Sequence, residues 1–144
     1  MTTVTRNQRI YLAAVGLFAL WVGIWGFFIP EHVDKAIPWL VPPFHARFIG
    51  AIYLSGVIIL GGSIMARHYA EVRVAVFIVA IWTGTLFVIS LFYPSEFDFS
   101  RGPVWFWFGA YIVYPLIGLW FIWFHRNTQS DNSASPSLPN WIRN

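Results

Sequence analysis

Four long apolar runs alternate with short polar stretches along this chain. They extend from about Ile10 to Ile29, from Ala46 to Ala66, from Arg73 to Tyr93 and from Val104 to Phe124. Crossing a hydrocarbon core ~30 Å thick takes about 20 helical residues, so each run is predicted to be a transmembrane helix. No run carries an acid or a base in its middle. Pro30, Pro94 and Pro103 fall at run ends, where a missing backbone donor does little harm. The expected fold is therefore all-α, a four-helix transmembrane bundle. Residues 1–9 form a polar lead, 10–125 the four-span membrane domain, and 126–144 a tail too polar to bury a core, which is expected to be disordered. The first run follows Arg6 and Arg9, as in a signal peptide. It is too long for one, and no small-x-small site precedes Pro30, so it is expected to stay as a helix.

The basic residues set a direction. One side of the bundle would carry Arg6, Arg9, Arg67, Arg73, Arg126 and Arg143, and the other Lys35, Arg47 and Arg101. The richer side belongs in the cytoplasm, so both termini are expected there. That leaves a long Pro-rich first outer loop, Pro30 to His45, holding Pro30, Pro38, Pro42 and Pro43. A loop of this length in a small bundle is uncommon unless it caps or binds something. Within it, Glu31 to Ile37 is predicted to form a short amphipathic turn lying on the membrane. The inner turn from Arg67 to Arg73 is short and makes the second and third helices antiparallel neighbours.

Faces follow from helical periodicity. In the first helix Ala19 and Gly23 have the small-xxx-small spacing that lets helices approach closely in lipid, and Trp21 and Trp25 share a face. In the second, Arg47 shares a face with Gly50, Ala51, Leu54, Ile58, Gly61 and Gly62. This small-residue face is expected to pack inward, pointing Arg47 into the outer mouth. A buried arginine needs an acceptor, and Glu96 and Asp98 of the second outer loop are the expected partners. In the third helix Thr83, Thr85 and Ser90 are expected to bond back to backbone carbonyls. In the fourth, Trp105 and Trp107 mark one interface and Trp120 and Trp123 the other. Trp107, Tyr111, Tyr114, Pro115 and Gly118 share a face, and Pro115 frees the carbonyl of Tyr111. The two tyrosine hydroxyls need partners, either freed carbonyls or Thr83 and Thr85; otherwise they line a cavity for a lipid-soluble ligand.

Composition narrows the chemistry. The chain of 144 residues is 58% hydrophobic and 10% charged, against about 25% charged in soluble domains. Mean hydropathy is +0.62. The absence of cysteine excludes disulfides, thiolate metal sites, iron–sulfur clusters and a cysteine nucleophile. The net charge is +3, but the basic residues are scattered singly, which argues against nucleic acid. There is no phosphate-binding glycine loop, no HExxH and no GxSxG. His32, His45, His68 and His125 fall near the interfaces, a poor fit to a bis-histidine haem. The outer residues His32, Asp34, His45, Glu96 and Asp98 lack the i,i+4 spacing of helical metal ligands. A proton or ion pump would place acids inside the membrane, and none is there.

A first helix ending Gly26-Phe27-Phe28-Ile29-Pro30, a loop, and then Ala46-Arg47-Phe48-Ile49-Gly50-Ala51-Ile52-Tyr53-Leu54-Ser55-Gly56 resembles the DoxX-like four-helix bacterial membrane proteins and related families. The resemblance covers the first two helices and the four-span layout. It implies a bacterial plasma-membrane location. For some members it also implies an accessory role in quinone-coupled oxidation. It brings no catalytic residue. The sequence reading is thus a multi-pass membrane protein serving as an accessory subunit or as an interaction or lipophilic-ligand-binding module. Its surroundings would be the lipid bilayer with a membrane-protein partner or a second copy of itself, and its ligand a quinone or a lipid. The alternative is a small quinone-linked redox or lipid-modifying enzyme with an outer-face site around His45, Arg47, Glu96 and Asp98. The candidate ligand-binding residues are His45, Arg47, Tyr53, Glu96, Asp98, Tyr111 and Tyr114.

Overall fold

In the computed structural model, which describes residues 3–126, four helices follow one another: α1 (Arg6–Phe28), α2 (Pro43–Met65), α3 (Tyr69–Phe92) and α4 (Gly102–Phe124). Each is long and apolar enough to cross a membrane. Short 3-10 segments, Pro30–Lys35 and Pro94–Glu96, interrupt the two connections at one end of the bundle, the loop end. The tail expected over 126–144 lies, apart from Arg126, outside the described residues. Helices begin two to four residues earlier than hydropathy indicates, because polar residues extend the first turn beyond the apolar run. α1 starts behind a capping box in which the Thr5 hydroxyl accepts from the Gln8 N–H and the Gln8 side chain accepts from the Thr5 N–H. α2 starts on Pro43, and α4 has Pro103 as its second residue; the fixed φ of proline suits a first turn.

The helices pair unequally. α1 packs closely along α2, and α3 along α4, whereas α2–α3 and α1–α4 meet much more loosely. Apolar side chains gain little by leaving lipid for one another, so close backbone approach decides which pairs are tight. The α1–α2 crossing is made by Gly26 and Gly50. A Cβ on Gly26 would lie 2.8 Å from the Ala46 carbonyl oxygen, and one on Gly50 would lie 2.7 Å from the Gly26 carbonyl carbon. Gly23 is pressed against Leu54 in the same way. Between α3 and α4, Gly118 lies against Ala80, and Gly84 against Pro115. α4 runs without a break through Pro115, and the Tyr11 hydroxyl of α1 donates to the Tyr114 carbonyl beside it at 3.0 Å.

Both ends of the described chain lie at the end opposite the loops. The Val4 N–H donates to the Arg67 carbonyl at 3.0 Å, and Thr3 bridges His68. The Arg9 guanidinium closes the C-terminus of α2 by donating to the carbonyls of Ile64 and, at 2.9 Å, Ala66. A cation there satisfies orphan acceptors and opposes the negative end of the helix dipole.

The small-residue face predicted for α2 is divided in the structure. Gly50 is buried in the crossing, but a Cβ on Gly56, Gly61 or Gly62 would meet nothing within 4 Å. The buried positions of α2 are Ala46, Gly50, Tyr53, Leu60 and Ser63, a stripe rotated from the expected one. Only a seven-residue spacing links Ala46, Tyr53 and Leu60, so the packing face is narrow and α2 is the most exposed of the four helices.

Candidate functional site

The loose α2–α3 seam opens into an apolar cavity of about 330 Å³. All four helices contribute walls, among them Phe18 from α1, Tyr53 and Gly56 from α2, Trp82 from α3, and Tyr111 and Tyr114 from α4. Its size falls at the lower end of the ~300–1,000 Å³ typical of small-molecule pockets. A second hollow of about 180 Å³ lies between α2, α3 and the loop end, and shares Ile52, Tyr53 and Trp82 with the first. Ile59, Ile78 and Trp82 line the larger cavity yet remain exposed on the outside of the bundle, so it opens sideways between α2 and α3.

The polar lining is concentrated in tyrosine. The hydroxyls of Tyr53 and Tyr111 bond to each other across the bundle, and both residues are buried. Tyr111 is held in place by the Trp107 ring, stacked on it with centroids 3.9 Å apart, while the Trp107 N–H donates to Ser90 at 3.3 Å. The Tyr114 hydroxyl donates to the Ala14 carbonyl at 3.4 Å. These partners correct the sequence reading, which matched the hydroxyls with freed carbonyls or with Thr83 and Thr85. The Thr83 hydroxyl bonds back to the Val79 carbonyl at 2.6 Å and Ser90 to Leu86 at 2.8 Å, as expected for hydroxyls in a membrane helix. Tyr111 and Tyr114 line the cavity from α4, and Tyr53 faces them from α2.

At the loop end the expected charge pairing is replaced by another. Arg47 does not point into the bundle; it is exposed and makes no ion pair among the described residues. Because α2 begins at Pro43, Ala46 takes the inward position in its first turn, and Arg47 falls 100° further round. His45, Glu96 and Asp98 are exposed as well. Among the described residues, no three His, Asp or Glu side chains come close enough together to hold a metal ion. The two loops are tied instead by Arg101, which donates to the Asp34 carbonyl at 2.6 Å and to its carboxylate at 3.3 Å. Asp98 accepts from the Ser100 hydroxyl at 2.6 Å and N–H at 3.0 Å, which holds its carboxyl below the usual carboxylate range. That turn is therefore held above the normal carboxylate pKa and loosens only as acid protonates Asp98. The Arg101–Asp34 pair is exposed, so Arg101→Ala should lower stability by less than about 1 kcal/mol in detergent unfolding.

The 3-10 segment is amphipathic, and the first loop turns its apolar side chains inward onto the bundle mouth. Val33, Ala36, Ile37 and Pro38 are buried, and Ala36 and Ile37 donate to the Val33 carbonyl at 2.9 and 2.8 Å. Trp39 stands edge-on to Trp107 at 4.8 Å and to Phe97 at 5.9 Å. The loop is a cap that closes the bundle mouth and backs the Trp107–Tyr111 stack. Its prolines lower the entropy lost when it is ordered.

Opposite, at the terminal end, sits a polar cluster that the sequence reading did not single out. The Gln8 amide lies 3.4 Å from the His125 Nε2, the His125 Nδ1 is 3.0 Å from the Phe121 carbonyl, and Tyr69 stacks on the imidazole at 4.3 Å. Gln8 is fully buried, and its amide oxygen and nitrogen each have a hydrogen-bond partner. The capping spacing Thr5–Gln8 was the available signal; the link to His125 spans nearly the whole chain and has no local trace.

Four apolar helices, a capped mouth and a laterally open cavity define a multi-pass membrane protein of the helical-bundle class. The chain matches no family model, and no curated protein or solved structure is significantly similar to it.

Proposed function

We propose that this chain is an accessory module that holds a lipophilic ligand, a quinone or a lipid, within the bilayer. The observation that carries the reading is the apolar cavity between α2 and α3, walled by Trp82 and the bonded tyrosines and open at the level of the membrane interior. A flat ring can lie against Trp82, and a carbonyl can accept from the one O–H of the Tyr53–Tyr111 pair that their mutual bond leaves free. The resemblance to DoxX-like proteins in the first two helices supports a bacterial plasma-membrane setting and a link to quinone-coupled oxidation. The distribution of basic residues supports termini in the cytoplasm. The exposed, open-sided glycines of α2 leave room for the helix of a partner protein or of a second copy.

Gly56 offers a clean test, because it lines the cavity and a Cβ added there meets no atom within 4 Å. Native mass spectrometry of the gently extracted protein should show a retained lipophilic molecule. A short-chain quinone should quench tryptophan emission in a Trp82-dependent way. Gly56→Phe should keep the fold and weaken quinone binding by about tenfold, roughly 1.4 kcal/mol. Quenching that is unchanged by Gly56→Phe and by Trp82→Phe would place the ligand elsewhere and defeat the proposal.

A further inference from the structure

On the opposite side of the bundle the other loose seam, between α1 and α4, leaves a groove of about 480 Å³. Its floor is apolar, formed by Leu17 and Trp21 of α1 and Phe106 of α4, and it runs from the loop end down to Tyr114 near mid-bundle. At about 1.5 Å per residue, Ala14 to Trp21 alone gives it roughly 10 Å of depth. One charged side chain lines it, that of Lys35 at the mouth. The Lys35 ammonium rests over the Trp25 ring, 4.9 Å from its centre, and forms no ion pair among the described residues. Its neighbour Asp34 is already taken by Arg101. An indole face holds a cation without neutralising it, so the positive charge stays available at the depth where lipid headgroups lie.

We infer that the α1–α4 groove is a binding site for an anionic phospholipid, with one acyl chain along Leu17 and Phe106 and the phosphate against Lys35. Charge and shape agree here. The cation stands at the mouth and the apolar trough leads from it toward the bilayer centre. The groove opens on the side of the bundle away from the α2–α3 cavity, with Phe18 and Tyr114 lining both, and its occupant is bilayer lipid rather than a lipophilic cofactor.

The test is competition between two lipids that differ in headgroup charge. The full-length protein, reconstituted in nanodiscs of equal phosphatidylglycerol and phosphatidylcholine and released into native mass spectrometry, should retain the anionic lipid with about fivefold preference, the effect of one lysine at a membrane surface. Raising the salt should erode that preference. Lys35→Arg should keep it and Lys35→Gln should abolish it, while Leu17→Trp should reduce retention of both lipids by filling the trough. Equal retention by the wild type, or a preference that survives Lys35→Gln, would overturn the assignment. The wild-type comparison and its salt dependence decide the matter even if a variant fails to fold.

Discussion

Gly50→Val should eliminate the folded protein. The new Cβ would fall on the Phe27 backbone nitrogen and within 2.7 Å of the Gly26 carbonyl carbon, and both are main-chain atoms of α1 that cannot step aside as a side chain can. Relief requires the two helices to move apart along their whole contact. That would also break the Gly23–Leu54 and Gly26–Ala46 contacts made by the same face. The cost should exceed the roughly 3 kcal/mol at the upper end of ordinary core overpacking. Accumulation in membranes and resistance to unfolding in mixed SDS micelles would report it. Gly61→Ala and Gly62→Ala serve as matched controls: their positions are open, so helix propensity alone acts, and stability should hold or rise. If Gly50→Val were as stable as these controls, the α1–α2 crossing described here would be wrong.

Tyr111→Phe should be the next most damaging conservative change. It deletes one oxygen from the middle of the bundle and leaves the Tyr53 hydroxyl without the partner it has in the folded state. An orphaned buried hydroxyl costs about 1–3 kcal/mol, whereas removing both hydroxyls of a pair can be close to neutral. Tyr53→Phe should therefore be about as costly, and the double variant no worse than either single one. Unfolding free energies for the four proteins form a double-mutant cycle whose coupling isolates the bond from the packing of Tyr111 on Trp107. Additive losses would mean that the two hydroxyls do not depend on each other.

The number of helices and their approximate extent were legible in the sequence because hydropathy over 20 residues is a local property. Pro30, Pro94 and the small residues of α1 were legible for the same reason: Ala19 and Gly23 do lie on the face that meets α2. What sequence could not resolve was rotation. The expected Arg47 stripe and the observed Ala46–Tyr53–Leu60 stripe differ by one position, and in a helix apolar all round nothing local favours either. The misplaced rotation explains the misplaced salt bridge, since an exposed Arg47 needs no acid and frees Glu96 and Asp98 to face water. At the candidate site, Tyr111 and Tyr114 were legible because hydroxyls in an apolar run demand partners, whereas nothing local placed Tyr53 opposite them. Trp82 was not, because an aromatic among aromatics carries no such demand. The Gln8–His125 link, like the Arg101–Asp34 tie, joins residues far apart in the chain, and only the helix order brings them together.

The glycine crossing brings the backbones of α1 and α2 together, and the Ala80–Gly118 contact those of α3 and α4, while the seams between these hairpins are wider and spanned by large side chains, such as Phe18 against Tyr111 and Tyr11 against Tyr114. The molecule is thus two close-packed helical hairpins joined through side chains rather than a uniform barrel. Bilayer thickness is therefore expected to act on the width of the two hollows before it distorts either hairpin, and the accessibility of Trp82 to a lipid-borne quencher in bilayers of different chain length would report it.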